Sequence, residues 1–347
     1  MSTCQEKIQK SDVFQDRSVI VSVIIPSYNT AKYIYKAIKS ALDQTLQEIE
    51  VIVVDDVSQD NSVEIIRQIN DARLKLFINQ KNLGVGGTRN RALSEAQGKW
   101  IAVLDADDWY DPNRLERLVK VATEKNADLI ADDLYLIDDG TTVPWGTLIG
   151  KHQESINSIQ KIDAADFVNS DIPGKKGLYL GFTKPLFNRD FLVNHHIQYD
   201  ETLKVTQDFW LDMECFAHGA NYYLVPEPYY YYLSRQNSGI YTNKIRRLED
   251  ECRAIANFFL YQDYLQNNPD VLAAIQEKDR QTRRWLKYYR FVEPLKKGDL
   301  RNCLTAIDFD WEFWTFMISK ISESIPRRLA SIFSEQEQNH LKFLFKN

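Results

Sequence analysis

Along the first 110 residues, short unbroken apolar runs alternate with stretches whose apolar positions recur every three or four residues. Residues 19–25 are a β-branched run stopped by Pro26, which predicts a buried strand. Residues 30–45 place Ile34, Ala37, Ile38, Ala41 and Leu42 on one helical face. Val51, Ile52, Val53 and Val54 predict a second strand, which ends in Asp55 and Asp56. Asp60 or Asn61 can cap a following helix that carries Ile65, Ile66 and Ile69. Residues 74–78 predict a third strand, 84–96 a helix opened by a glycine-rich turn, and 100–104 a fourth strand that again ends in carboxylates. This alternation implies a mostly parallel sheet flanked by helices. In such sheets ligands bind beyond the carboxyl ends of the strands. Residues 26–29, 55–56 and 105–108 should therefore face one crevice.

Residues 128–137 suggest another strand, and the pattern weakens between 140 and 182. Helices are expected over 188–195 and 207–217, and a pair of strand segments, 222–225 and 229–233, around Pro226 and Pro228. Beyond about 243 the apolar spacing is helical throughout. The expected organisation is a polar tail over 1–17, an α/β region over 18–242 (divided at 135/136), and an all-helical C-terminal extension over 243–347.

The chain has 347 residues, enough to bury a core without disulfide or metal staples. Lys and Arg total 43 against 49 Asp and Glu, a net charge of −6, which argues against nucleic acid as a partner. The four cysteines have no metal-ligand or redox spacing, and the reading is of free thiols in a reducing compartment. No apolar leader opens the sequence and no apolar run reaches membrane-spanning length, so the expected location is cytoplasmic.

Candidate chemistry gathers at the strand ends. Asp105, Asp107 and Asp108 crowd three carboxylates into four positions, which is costly unless a cation or hydrogen-bonding ligand sits there. A Mg²⁺ or Mn²⁺ ion shared with a diphosphate is one reading, and a solvated capping loop is the other. Asp55 and Asp56 can accept from a base N–H or a ribose hydroxyl, or simply cap a turn. Tyr28 offers a flat face to a base, beside a Ser27 and Asn29 that can equally cap a helix.

Together Val23-Ile24-Ile25-Pro26-Ser27-Tyr28-Asn29, Val54-Asp55-Asp56, the segment from Asn82 to Leu93 and Leu104-Asp105-Ala106-Asp107-Asp108 resemble the nucleotide-sugar half of family 2 glycosyltransferases with the GT-A fold. The resemblance continues through Lys184-Pro185-Leu186-Phe187-Asn188-Arg189, Tyr199-Asp200-Glu201 and Gln207-Asp208-Phe209-Trp210, and covers roughly residues 19–240. It implies a GT-A-like fold and inverting, metal-dependent transfer from a nucleotide-sugar donor, UDP-linked by expectation, to a glycan or lipid-linked glycan. Tyr28 would stack on the base, with Pro26 shaping the pocket and Asp56 accepting from the base. Asn82 and Arg89 would hold the nucleotide or its phosphates, and Asp105 the ribose or sugar. Asp107, helped by Asp108, would bind Mg²⁺ or Mn²⁺. Asp208 matches the general base.

Two positions depart from the family pattern. Gln207 stands where the family often has Glu and cannot ionise, so a hydrogen bond to acceptor or backbone is its expected use. Arg235 stands where the family often has a metal-ligating His; it can offset charge on the leaving diphosphate. Sugar nucleotidyl transfer and an inactive nucleotide-sugar-binding module are the alternatives. Over 280–301, eight basic residues stand against two acidic ones, interleaved with Trp285, Tyr288, Tyr289 and Phe291, and more aromatics follow to Phe316. This predicts either peripheral contact of 280–316 with an anionic membrane surface or aromatics packed within the protein.

Overall fold

A computed structural model describes residues 18–151, 156–175, 178–234, 244–299, 301, 311 and 313–320. The chain divides into two compact units, residues 1–164 with 177–235, and residues 165–176 with 236–347.

The first unit is built on one sheet. Its elements run β1 (Val21–Ser27), α1 (Ile34–Leu42), β2 (Ile49–Asp55), α2 (Ser62–Arg67), β3 (Leu74–Ile78), α3 (Gly84–Glu95), β4 (Trp100–Val103), β5 (Trp109–Tyr110), α4 (Arg114–Lys125) and β6 (Leu129–Asp138). Then follow β7 (Gly146–Thr147), α5 (Leu148–Lys151), β8 (Gln160–Ile162), β9 (Leu186–Asn188), α7 (Arg189–Asn194), α8 (Gln207–Ala217) and β10 (Tyr222–Ser234), while α6 (Ala164–Ser170), which comes between β8 and β9 in the chain, belongs from residue 165 onward to the second unit. The strand order is β3-β2-β1-β4-β9-β6-β10-β5, with β7 on β6 and β8 on β10.

β3, β2, β1 and β4 are mutually parallel. β1 and β2 are buried almost end to end, which is why both read as continuous apolar runs. The chain leaves β1 toward β2 and β3, then returns to β1's other side at β4. The switch between β1 and β4 opens a crevice at the strand ends, where Pro26 to Asn29 and Leu104 to Asp108 emerge. β9 runs antiparallel between β4 and β6 and so brings residues 183–186 to the same edge.

The two segments expected around Pro226 and Pro228 are instead one strand of 13 residues, β10, parallel to β6. Prolines lack the N–H that a ladder needs. Here they are absorbed by register shifts between Val225 and Pro228 and between Pro228 and Tyr230, without reversing the chain. Of Asp60 and Asn61, Asp60 is the cap of α2: its carboxylate accepts from Ser62 N at 3.0 Å, while the Asn61 side chain caps nothing.

The second unit contains α9 (Lys244–Phe258), α10 (Gln262–Asn267) and α11 (Pro269–Lys296). Lys278 is buried there, paired with Asp171 and Glu251 at 2.9 Å each. Much of the 280–316 aromatic stripe is internal to this unit. Trp285 stacks with Tyr289 and meets Phe316 edge-on, its indole N–H donates to the Pro173 carbonyl, and Phe313 and Phe316 are buried. Arg280, Arg283, Arg290 and Lys296 pair with Glu277, Asp279, Glu249 and Glu293. Among the described residues, no helix is long and apolar enough to cross a membrane.

Candidate active site

The ends of β1 and β2 are knitted together by short polar side chains. Asp55 accepts from Ser58 N (2.8 Å), Ser58 Oγ (2.6 Å) and Ser27 Oγ (3.2 Å). Asn29 takes a left-handed backbone (φ 52°), donates its N–H to Ser58 Oγ and accepts from Gln59 N. Pro26 lies within β1, and Tyr28, at the tip of this frame, is 50% exposed, its ring available to a planar ligand.

Asp56 is buried, and its carboxylate already accepts three N–H groups: Asn79 Nδ2 (2.7 Å), Leu83 N (2.8 Å) and Gly84 N (2.9 Å). It closes the loop that starts α3, where the left-handed backbone of Gly84 (φ 74°) makes glycine the fitting residue. Asn82 serves the same loop, donating to the Asp56 carbonyl at 3.1 Å and accepting from Gly84 N. The contacts of these two residues thus hold together the loop between β3 and α3. A carboxylate offers about four lone-pair sites, so Asp56 retains capacity for one further donor.

α3 then carries the principal cation inward. Gly86 lets the helix approach residues 200–201, since a Cβ there would stand 3.3 Å from the Asp200 carbonyl oxygen. Asn90 locks the same segment through paired bonds to Tyr199 N and O. Arg89, buried over the Tyr199 ring, donates from Nη1 to Asp208 and from Nη2 to Asp105, both at 2.6 Å.

Opposite Arg89 stands Lys184, just before β9. Its ammonium donates to Asp208 at 2.5 Å and lies 3.0 Å from Asp105. Two carboxylates and two cations therefore form a closed square, in which the cations are buried while Asp208 and Asp105 are 20% and 26% exposed. Burial opposes ionisation of Asp105, but Lys184 and Arg89 outweigh it and hold the carboxyl well below the usual range. Burial likewise works against the Lys184 ammonium, yet Asp105 and Asp208 keep it charged well above its ordinary value.

Asp208 lies in the first turn of α8, where the helix dipole also favours an anion. The residue before the helix, Thr206, is left-handed (φ 66°), and Val57 beside Asp56 has the same φ. A β-branched residue seldom adopts that conformation, and such strain gathers at functional sites. Gln207 donates its amide to the Leu203 carbonyl, the backbone use among the two expected for it.

The three carboxylates after β4 separate into different environments. Asp108 is buried and accepts from Tyr230 Oη and from Leu233 N, both at 2.7 Å. Burial, reinforced by the charges of Asp107 and Asp105, pushes its carboxyl well above the usual range. These contacts fasten β10 to the strand-end loop and turn Asp108 away from the crevice. Asp107 is partly exposed. Among the described residues, no group of three or more His, Cys, Asp or Glu side chains could hold a metal by itself. With Asp105 engaged by two cations and Asp108 turned inward, the donor set fits an ion held by Asp107 and mainly by substrate phosphate, a common arrangement for Mg²⁺. Arg235 lies outside the described residues.

Lys184, Arg114, Asp132 and Tyr230 are site or supporting residues to which sequence reasoning gave no role. The signal for Lys184 was a single cation inside an apolar stretch ahead of a buried strand.

A mixed sheet with a switch-point crevice, an exposed aromatic tip and an acidic cluster held by buried cations fits the GT-A-like fold expected of a glycosyltransferase. Comparison with known proteins agrees with it. The family described as "Glycosyl transferase family 2" matches residues 22–181. The succinoglycan biosynthesis protein ExoO of Rhizobium meliloti is 30% identical over 322 residues, covering 91% of this chain and 88% of the relative. The UDP-Glc:alpha-D-GlcNAc-diphosphoundecaprenol beta-1,3-glucosyltransferase WfgD of Escherichia coli is 34% identical over 142 residues, 41% of this chain and 55% of that protein. Among solved structures, S. aureus TarS residues 1–349 in complex with UDP-GlcNAc shares the fold, with a TM-score of 0.56 at 20% identity over 83% of this chain and 90% of that one. The chain belongs to glycosyltransferase family 2.

Proposed function

We propose that the chain transfers a sugar, with inversion, from a UDP-linked donor to a hydroxyl of a glycan or lipid-linked glycan, in the assembly of a polysaccharide. The observation that carries this reading is the Asp208 carboxylate, partly exposed at the crevice and gripped by Arg89 and Lys184. Such a carboxylate can take the proton of an acceptor hydroxyl as that oxygen attacks the anomeric carbon, a contribution of about 10²- to 10⁴-fold. One in-line displacement suffices, and no covalent intermediate forms.

Tyr28 would stack on the base above the loop built by Asp56 and Asn82, and Asp105 would face the ribose or sugar. Asp107 would hold a Mg²⁺ or Mn²⁺ ion, which supplies positive charge to the diphosphate when bound. Support for UDP comes from the TarS complexes with UDP-GlcNAc and UDP and from the named donor of WfgD. WfgD also names a diphosphoundecaprenol acceptor, and ExoO a role in succinoglycan biosynthesis.

The test is a screen of nucleoside diphosphate release from UDP-, GDP- and dTDP-sugars, with Mg²⁺, Mn²⁺ or chelator. Release from a UDP-sugar that depends on the metal supports the reading. Release of pyrophosphate from a nucleoside triphosphate and a sugar phosphate would replace it with nucleotidyl transfer.

A further inference from the structure

In the square of charges, each carboxylate touches both cations, and the four sum to zero. The two cations differ in what they are free to do. Arg89 is a buried planar fork whose two terminal nitrogens are each committed to one carboxylate. Lys184 is a point charge on a flexible stem, and its ammonium has three rotatable donors. Its main chain is fixed, because the Lys184 carbonyl accepts from Arg114 Nη2 at 2.5 Å. Among the described residues, its Nζ is held by Asp208 at 2.5 Å and by Asp105 at 3.0 Å.

We propose that Lys184 is a charge carrier for the reaction: its ammonium is masked by Asp208 before transfer and turns to the departing nucleoside diphosphate once Asp208 has accepted the acceptor's proton. The inference rests on the glycosyl-transfer reading given above. The acceptor O–H bond breaks and its proton bonds to Asp208, which becomes neutral. The acceptor oxygen bonds to the anomeric carbon, and the bond from that carbon to the diphosphate oxygen breaks, with its electron pair leaving on the diphosphate. The square gains one positive charge in the same step in which the leaving group gains one negative charge. Lys184 keeps Asp105 as its anchor and exchanges its bond to the neutral Asp208 for one to the diphosphate. Positive charge that becomes available only as the sugar departs stabilises the transition state over the ground state, which is what raises kcat.

Asp208→Asn imitates the protonated base, so the hand-over can be read from binding alone. The probe is UDP, titrated calorimetrically at fixed salt against wild type, Asp208→Asn, Lys184→Met and the double variant. Asp208→Asn is expected to bind UDP about tenfold tighter than wild type, the scale of one charge acting across a crevice. In the Lys184→Met background the same change should tighten binding by less than about twofold, because no ammonium is left to release. Lys184→Gln serves the same comparison if the Met variant does not fold. No tightening by Asp208→Asn, or equal tightening in both backgrounds, overturns the proposal; equal tightening would mean that only repulsion by the Asp208 charge had been removed. If the wild type binds none of UDP, GDP, CDP or dTDP, the functional reading fails and the proposal with it, a result distinct from binding without the Lys184 effect.

Discussion

Arg114 donates from Nη2 to the main-chain carbonyl of Lys184 at 2.5 Å while gripping Asp132 in an ion pair with no solvent exposure on either side. The Arg114 guanidinium also lies over the rings of Tyr110 and Tyr230. One buried cation therefore fixes the chain that presents Lys184 and, through Tyr230, the residue that holds Asp108. Removing one partner of a buried pair leaves an uncompensated charge, which costs about 3–5 kcal/mol. Asp132→Asn should lose about 3 kcal/mol in urea unfolding. It should also slow transfer more than its stability loss explains, because Lys184 is no longer held in place.

The depressed Asp105 carboxyl makes a pH prediction. Its folded form binds a proton less readily than its unfolded form, so its contribution to stability is present above the ordinary carboxylate range and fades as pH falls below about 4. Asp105→Asn should cost about 2 kcal/mol near neutrality, with the gap from wild type narrowing in acid. Melting temperatures of the two proteins across pH check the sign. A gap that widens in acid would place the favourable interaction on the protonated form.

Asp107 and Asp108 should respond differently to the same substitution. Asp107→Asn should raise the Mn²⁺ concentration for half-maximal transfer by about tenfold or more, as expected for a lost metal contact. Asp108→Asn should leave that concentration unchanged, since its carboxyl faces Tyr230 and Leu233 N, and cost about 1 kcal/mol of stability. Equal shifts from both variants would return Asp108 to the metal.

Val57 has a left-handed backbone and is 38% exposed. Asparagine tolerates that conformation, whereas valine bears about 1–2 kcal/mol of strain. Val57→Asn should therefore stabilise the protein by about 1 kcal/mol in denaturant unfolding. If the strain serves to aim Asp56 and its loop, affinity for nucleotide will fall at the same time.

The sheet was largely readable because buried parallel strands write themselves as continuous apolar runs, as residues 21–25 and 51–54 do. The carboxylates at 105 and 208 were readable through the family resemblance, since acidic residues at strand and helix ends also serve as caps. Their partners were less so. Lys184 and Arg89 lie 95 residues apart (184 − 89) and meet only because β9 inserts beside β4. Asp108 could not be separated from Asp107 by sequence, since the difference is made by Tyr230, delivered from a distant strand. β10 was read as two segments for a local reason: two prolines look like a break in a strand, and only pairing with β6 shows them absorbed by register shifts. The aromatic stripe after 280 was ambiguous because interleaved rings and charges suit both a membrane face and a helical core.

The most direct measurement is the initial rate of sugar transfer from the best UDP-sugar by Asp208→Asn relative to wild type, taken alongside UDP affinity and melting temperature. The account predicts a rate lower by about 10²- to 10⁴-fold, with nucleotide still bound and the fold intact. A variant that transfers sugar as fast as wild type would contradict it.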